Sequence, residues 1–271
     1  MVDVSTTAPE PELPSRDELL ARYDAQLRDE LASADVQEPH GPVTWGVYRG
    51  GRGFVTYRDL GGLDVAGIEQ LVEETFRPYA DDPSISRVEW KTRGHDHAPG
   101  LHDALVARGF VPGEPESVMV GPAAPLTDAP VPEGISVRRV TSPDDVEAMC
   151  ACAEEGFGEG LPGMAQALLH RLCLDDGMEL WVAEADGRMV GTGRLEPVAG
   201  TDFAGLWGGT TVPAWRGRGV YRALLAARAR SALQRRHTLL QSDSTEDSRP
   251  ILERSGFVRI TTTTPYEWHR P

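Results

Sequence analysis

Arg216-Gly217-Arg218-Gly219 lies where one kind of structure gives way to another. Upstream, Leu206, Trp207, Thr210, Thr211 and Val212 are strand formers. Pro213 has no N–H to give a ladder and ends the run. Downstream, Val220, Ala223, Leu224 and Ala227 fall on one helical stripe. Two glycines one residue apart allow a backbone that no other residue adopts cheaply. A glycine-bearing loop that opens a helix presents unpaired N–H groups at the positive end of the helix dipole, which is chemistry for a phosphate or pyrophosphate. The charge agrees. Arginines 216, 218, 222, 228, 230, 235 and 236 follow one another with no acid among them, in a chain whose formal net charge is −15. Arg216, Arg218 and Arg222 stand at the loop and are the anion candidates; the later four read as a solvated helix face.

Two phosphate-binding signatures are excluded. The dinucleotide fingerprint Gly-x-Gly-x-x-Gly fails because Arg222 occupies its sixth position. The nucleotide-hydrolase loop needs Gly-Lys-Ser/Thr, and the only lysine of the chain is Lys91.

The stretch does resemble the (Arg/Gln)-x-x-Gly-x-(Gly/Ala) loop of the GNAT acyltransferases, with Tyr221 where that family has Gly or Ala. Ser248 to Phe257 is similar to the family's last helix and terminal Gly-Phe. The resemblance implies acetyl-CoA as cosubstrate and no metal. It places the pyrophosphate on the N–H groups of Gly217, Arg218, Gly219, Val220, Tyr221 and Arg222, beside the Arg216 side chain. The pantetheine arm would lie along Thr210, Thr211 and Val212, and Thr245 and Ser248 complete the cofactor-binding set. It implies transfer to a primary amine of a small molecule or peptide by direct attack in a ternary complex. A non-catalytic acyl-CoA-binding module is the competing class. Direct attack needs a base for the amine and an acid for the thiolate. By the Gly-Phe register the family's acid, a tyrosine, falls on Leu252, leaving Tyr266, Tyr221 or water for the role. Strand 203–212 carries no acid, so Glu196 and Asp202 are the nearest base candidates, and each also fits a solvated turn. Glu154, Glu155 and Glu159 end the first helix of this half, which in the family lines the acceptor site.

The expected elements fit that reading. From residue 135 onward they run β-α-α-β-β-β-α-β-α-β. Ser15 with Glu18, Asp64, and Ser142 with Pro143 are helix starts. Leu105-Val106-Ala107-Arg108-Gly109-Phe110-Val111 echoes Leu252 to Val258, so the first half reads as a truncated repeat: two strands, helix, strand, helix, strand. Its equivalent loop, Asp59 to Asp64, carries acids that would repel phosphate. The expected fold is α/β (α+β type): two tandem GNAT-like domains, each a mixed central sheet flanked by helices. Residues 1–127 form the degenerate half, 128–134 a Pro-rich linker, and 135–271 the catalytic half, a layout similar to that of mycothiol synthase. Residues 1–14 are polar and proline-bearing and read as a mobile tail.

Composition narrows the rest. Forty per cent hydrophobic and 25% charged residues describe an ordinary soluble chain. The acidic balance argues against nucleic acid, and no run reads as a membrane span or leader; a cytoplasmic monomer or homodimer is expected. Cys150, Cys152 and Cys173 have no metal-ligand spacing, and His95, Asp96, His97 and His102 read as a polar loop before a helix rather than a metal site.

Overall fold

Ser15 closes a capping box with Glu18 and opens α1 (Arg16–Gln26), shorter than the helix to about residue 32 that the sequence suggests. The computed structural model describes residues 14–29, 31, 34–246 and 248–271; apart from Pro14, the expected tail lies outside them. β1 (Val36–His40), β2 (Val43–Tyr48) and β3 (Arg52–Tyr57) form a meander. β1 escapes the sequence pattern because it is an exposed edge strand with Pro39 in it. Asp64 caps α2 (Val65–Asp81), and β4 (Arg87–Arg93) then lies parallel to β3. α3 (Leu101–Ala107), β5 (Val111–Pro112) and β6 (Glu116–Pro122) end the first half.

The second half follows the expected order: β7 (Ser136–Val140), α4 (Pro143–Phe157), α5 (Met164–Leu172), β8 (Glu179–Ala185), β9 (Arg188–Pro197), β10 (Phe203–Thr211), α6 (Val220–Gln234), β11 (Leu239–Ser244), α7 (Arg249–Glu253) and β12 (Val258–His269).

One sheet of twelve strands runs through the molecule in the order β1-β2-β3-β4-β12-β6-β11-β10-β9-β8-β7, with β5 on β12. Among the described residues only β3/β4 and β10/β11 are parallel. The final strands are interleaved. β12 runs between β4 and β6, and β6 runs between β12 and β11. Each half therefore borrows the last strand of the other, which sequence order alone does not reveal.

Strand alternation assigns the faces. Val88 and Trp90 of β4 pack with α2 and α3, while Leu240 of β11 packs with α6 and α7. Glu89, Lys91 and Asp243 therefore point to the opposite face, which carries α1, α4 and α5. On that face Lys91 makes a salt bridge with Asp243, whose side chain is 2% exposed. On a flat sheet the two strands would stand three spacings apart, about 14 Å. The sheet must curl toward this face for the pair to close, and the two halves thereby wall a polar cleft. No helix among the described residues is long and apolar enough to cross a membrane.

Candidate functional site

β10 and β11 hold together for three residue pairs, Phe203–Leu239, Ala204–Leu240 and Gly205–Gln241, and then separate. Past this point β10 keeps only β9 as a partner. Its ladder skips from Trp207–Arg194 to Thr210–Thr192, so Gly208 and Gly209 bulge out. Gly208 has φ +57°, a left-handed conformation, and Thr192 holds the bulge by donating its hydroxyl to the Gly208 carbonyl at 3.1 Å. The separated end of β10 leads through a short 3-10 turn, Pro213–Trp215, into the glycine loop.

Gly217 and Gly219 have φ +74° and +84°, and Gly219 is the N-cap residue of α6. Among the described residues no backbone carbonyl accepts the N–H groups of Gly217, Arg218 or Gly219. A Cβ on Gly219 would stand 3.1 Å from Pro132 Cγ, because the Pro-rich segment packs against the loop. The Arg218 guanidinium lies 4.8 Å from the Trp215 ring centroid, and an Arg222 Nη2 lies 3.8 Å from where that Gly219 Cβ would be. These donors suit a diphosphate: open N–H groups, a helix N-terminus and two guanidiniums without carboxylate partners among the described residues.

The other expected cofactor residues are placed as follows. Arg216 is committed elsewhere: Nε donates to the Thr211 carbonyl at 3.2 Å and Nη2 to the Gly156 carbonyl at 2.7 Å. It is a strut between the loop and α4, where the sequence suggested a phosphate ligand. Val212 gives its N–H to the Val190 carbonyl. The Thr211 hydroxyl is buried without a partner. Thr210 packs so closely on α4 that a Cβ on Gly156 would meet its hydroxyl at 2.5 Å. Thr245 and Ser248 bond to each other at the start of α7.

Tyr221, in the first turn of α6, lies under the bulge; its ring comes within 3.2 Å of a Cβ placed on Gly209. Beside it is Arg228, 1% exposed where a solvated face was expected. Arg228 donates to the Leu224 and Arg194 carbonyls, and its Nη2 has no hydrogen-bond partner. Burial pulls its pKa down, and the neighbouring Tyr221 hydroxyl opposes this. Arg235 is exposed, as expected, and its guanidinium reaches in to bind the buried Glu179 carboxylate.

The three catalytic candidates are not brought together. Glu196 is held by Arg171 at 2.6 Å, and Arg194 lies at 3.3 Å. Asp202 precedes β10 and is tied to α1 by Gln26 and Arg22. Eight residues of strand, about 26 Å, separate it from Thr210. Tyr266 lies in the core of the first half, hydrogen-bonded to His102. Glu154 accepts from the Leu161 N–H, Glu155 pairs with Arg188, and Glu159 is exposed. His95 is engaged with Thr261 and Asp24.

Sequence reasoning missed the cleft carboxylates. Glu89 and Glu116 sit near Lys91 and Asp243, and burial raises the pKa of both. On Lys91 burial is the largest influence and pulls the pKa down, but Asp243, Tyr23 and Glu89 together outweigh it and the net shift is upward. The available signals were a sole lysine inside a strand and alternating acids at Glu89 and Glu116. Their convergence needed the strand exchange.

A search of curated proteins finds no match. Solved structures share the fold. A GCN5-related N-acetyltransferase from Kribbella flavida aligns with TM-score 0.66 at 18% identity, over 92% of this chain and 95% of that one. One from Sphaerobacter thermophilus gives 0.60 at 19% identity, over 85% and 78%. A tandem GNAT protein from the clavulanic acid biosynthesis pathway gives 0.58 at 15% identity, over 84% and 79%. Residues 176–259, which span β8 to the start of β12 and include the glycine loop and the bulge, match the family model of the acetyltransferase (GNAT) domain.

Proposed function

We propose that this protein transfers an acyl group from acyl-CoA to a primary amine, with the donor at the β10/β11 opening and the amine in the cleft between the halves. The observation that carries the reading is the parallel strand pair that separates after Gly205 and runs directly into an arginine-bearing helix N-terminus. The separated strand edge suits an amide-bearing pantetheine arm, and the loop suits the diphosphate. The bulge at Gly208 and Gly209 turns backbone groups away from the ladder, where they can polarise a thioester carbonyl.

In this reading the cleft carboxylates attract a cationic amine, and Glu116 takes its proton. A carboxyl raised by burial is a better base near neutral pH than Glu196, which Arg171 holds at 2.6 Å. Tyr221 gives a proton to the departing thiolate, with Arg228 favouring the charge that develops on its oxygen. Residues 1–127 hold no second donor site, because at the matching helix start the Asp64 carboxylate already accepts the Gly67 N–H at 2.9 Å. The first half would then act as a degenerate tandem partner that supplies Glu89, Lys91 and Glu116 to the cleft.

The test is release of free thiol from acetyl-CoA across a panel of primary amines, with wild type, Glu116→Gln and Tyr221→Phe. Amine-dependent release is expected in wild type, falling about 10²-fold or more in Glu116→Gln. Tight CoA binding with no amine-dependent release would instead favour a binding module.

A further inference from the structure

A shallow pocket opens on the α4/α5 face of the β10 bulge. Met149, Ala153 and Phe157 of α4 and Met164 and Leu168 of α5 give it apolar walls, and Arg194 of β9 is its one charged lining residue. Gly208, at the bulge, also lines it, so the pocket begins where the reacting carbonyl would sit. Phe157 is 48% exposed although large and apolar.

Arg194 is poorly satisfied. Its Nε is buried without a hydrogen-bond partner, although Glu196 Oε1 is 3.3 Å away. Its Nη1 finds only the Met164 thioether at 3.7 Å, a weak acceptor. Glu196 is shared with Arg171, which binds it at 2.6 Å and also holds Asp176 at 2.9 Å. Arg52 of the first half adds a further positive charge to the surroundings. Arg194 therefore stands among apolar walls with donors left open, beside a carboxylate that Arg171 already holds. A guanidinium in an apolar pocket with open donors is built for a carboxylate.

We propose that this pocket is a subsite for an apolar chain ending in a carboxylate, with Arg194 as its anchor. The inference rests on the acyl-transfer reading and narrows it. Two sources supply that chemistry: the acyl group of a dicarboxylic acyl-CoA, or an acceptor that is itself an apolar amino acid.

The experiment has two turnover arms and one binding arm. The donor arm compares kcat/KM for succinyl-CoA and butyryl-CoA with one amine. The acceptor arm compares leucine with isoamylamine, and phenylalanine with phenethylamine, using acetyl-CoA. In one arm the carboxylate-bearing member should be favoured about tenfold or more, because a buried donor left unpaired penalises the analogue that lacks its partner. That arm identifies the source. The preference should be lost in Arg194→Met, and also in Phe157→Glu, a change at an exposed site that leaves the fold intact and puts a negative charge at the mouth. No preference in either arm, or a preference kept in both variants, overturns the proposal. The binding arm titrates hexanoate and hexanol by calorimetry without CoA. If no pair turns over, acyl transfer fails, and hexanoate still decides the pocket: binding that weakens about tenfold or more in Arg194→Met upholds it. Equal binding of hexanoate to both proteins, or none to either, overturns it.

Discussion

Removing two neighbouring arginines of the glycine loop should have opposite consequences. Arg216 ties the loop to α4 through the Thr211 and Gly156 carbonyls, at 3.2 and 2.7 Å. A hydrogen bond from a charged donor contributes about 1.5–3 kcal/mol, and the exposure of Arg216 pulls the sum for the two down to about 2 kcal/mol. At about 2–4 °C per kcal/mol for a chain of this size, Arg216→Ala should melt about 4–8 °C below wild type. The loop loses its strut, so CoA binding weakens as well, but the dependence of that binding on salt is retained. Arg218 makes no strut and rests on Trp215. Arg218→Ala should melt like wild type, bind CoA more weakly by about 1–2 kcal/mol, and show a flatter salt dependence because one phosphate-facing charge is gone. Differential scanning fluorimetry and calorimetric CoA titrations at low and high salt give all six quantities. If Arg216→Ala melts normally and flattens the salt dependence, Arg216 is a phosphate ligand and the strut assignment is wrong.

Other perturbations have equally definite outcomes. Burial raises the folded pKa of Glu116 above the usual glutamate range, so the folded state binds the proton more tightly. This penalty on stability is absent below the unfolded pKa and complete once pH passes the folded one. Glu116→Gln should thus melt higher than wild type at neutral pH and no higher at acidic pH, while the acidic limb of kcat/KM disappears. Lys91→Met strands the buried Asp243 carboxylate and should cost about 3–5 kcal/mol, much of it recovered in Lys91→Met/Asp243→Asn; additive losses in denaturant titrations would show that the two groups do not interact. Arg228→Met removes a buried charge with no carboxylate partner among the described residues and should melt within about 3 °C of wild type. Its kcat should nevertheless fall together with that of Tyr221→Phe, without additivity in the double variant.

The second half was legible in the sequence because its signals are local. Ser142 and Pro143 start α4, Asp186-Gly187 turns β8 into β9, and Gly217 and Gly219 mark the loop, each through backbone chemistry confined to a few residues. The fate of the arginines was not legible. Arg216 and Arg218 look equivalent in the chain, and only the approach of Gly156 to Thr210 makes one a strut. Arg228 lies on the buried stripe of α6, and an arginine there reads as solvated until Gly193 is seen to leave room for it, a Cβ there falling 2.7 Å from the guanidinium carbon. The cleft was hidden for a topological reason. Lys91 and Asp243 are far apart in sequence and meet because β12 and β6 are inserted into each other's halves. β-strand periodicity gives the facing of each residue but not the order of the strands.

The most direct test is the titration of CoA into wild type and into Gly219→Asp by calorimetry. The Gly219 position has φ +84° and faces Pro132 Cγ at 3.1 Å, so an aspartate there brings both bulk and negative charge to the mouth of the α6 N–H groups. One CoA per wild-type chain is expected, with affinity lower by about 2 kcal/mol, roughly thirtyfold, in the variant. Two CoA molecules per chain, none, or unchanged affinity in Gly219→Asp would contradict a single donor site at the start of α6.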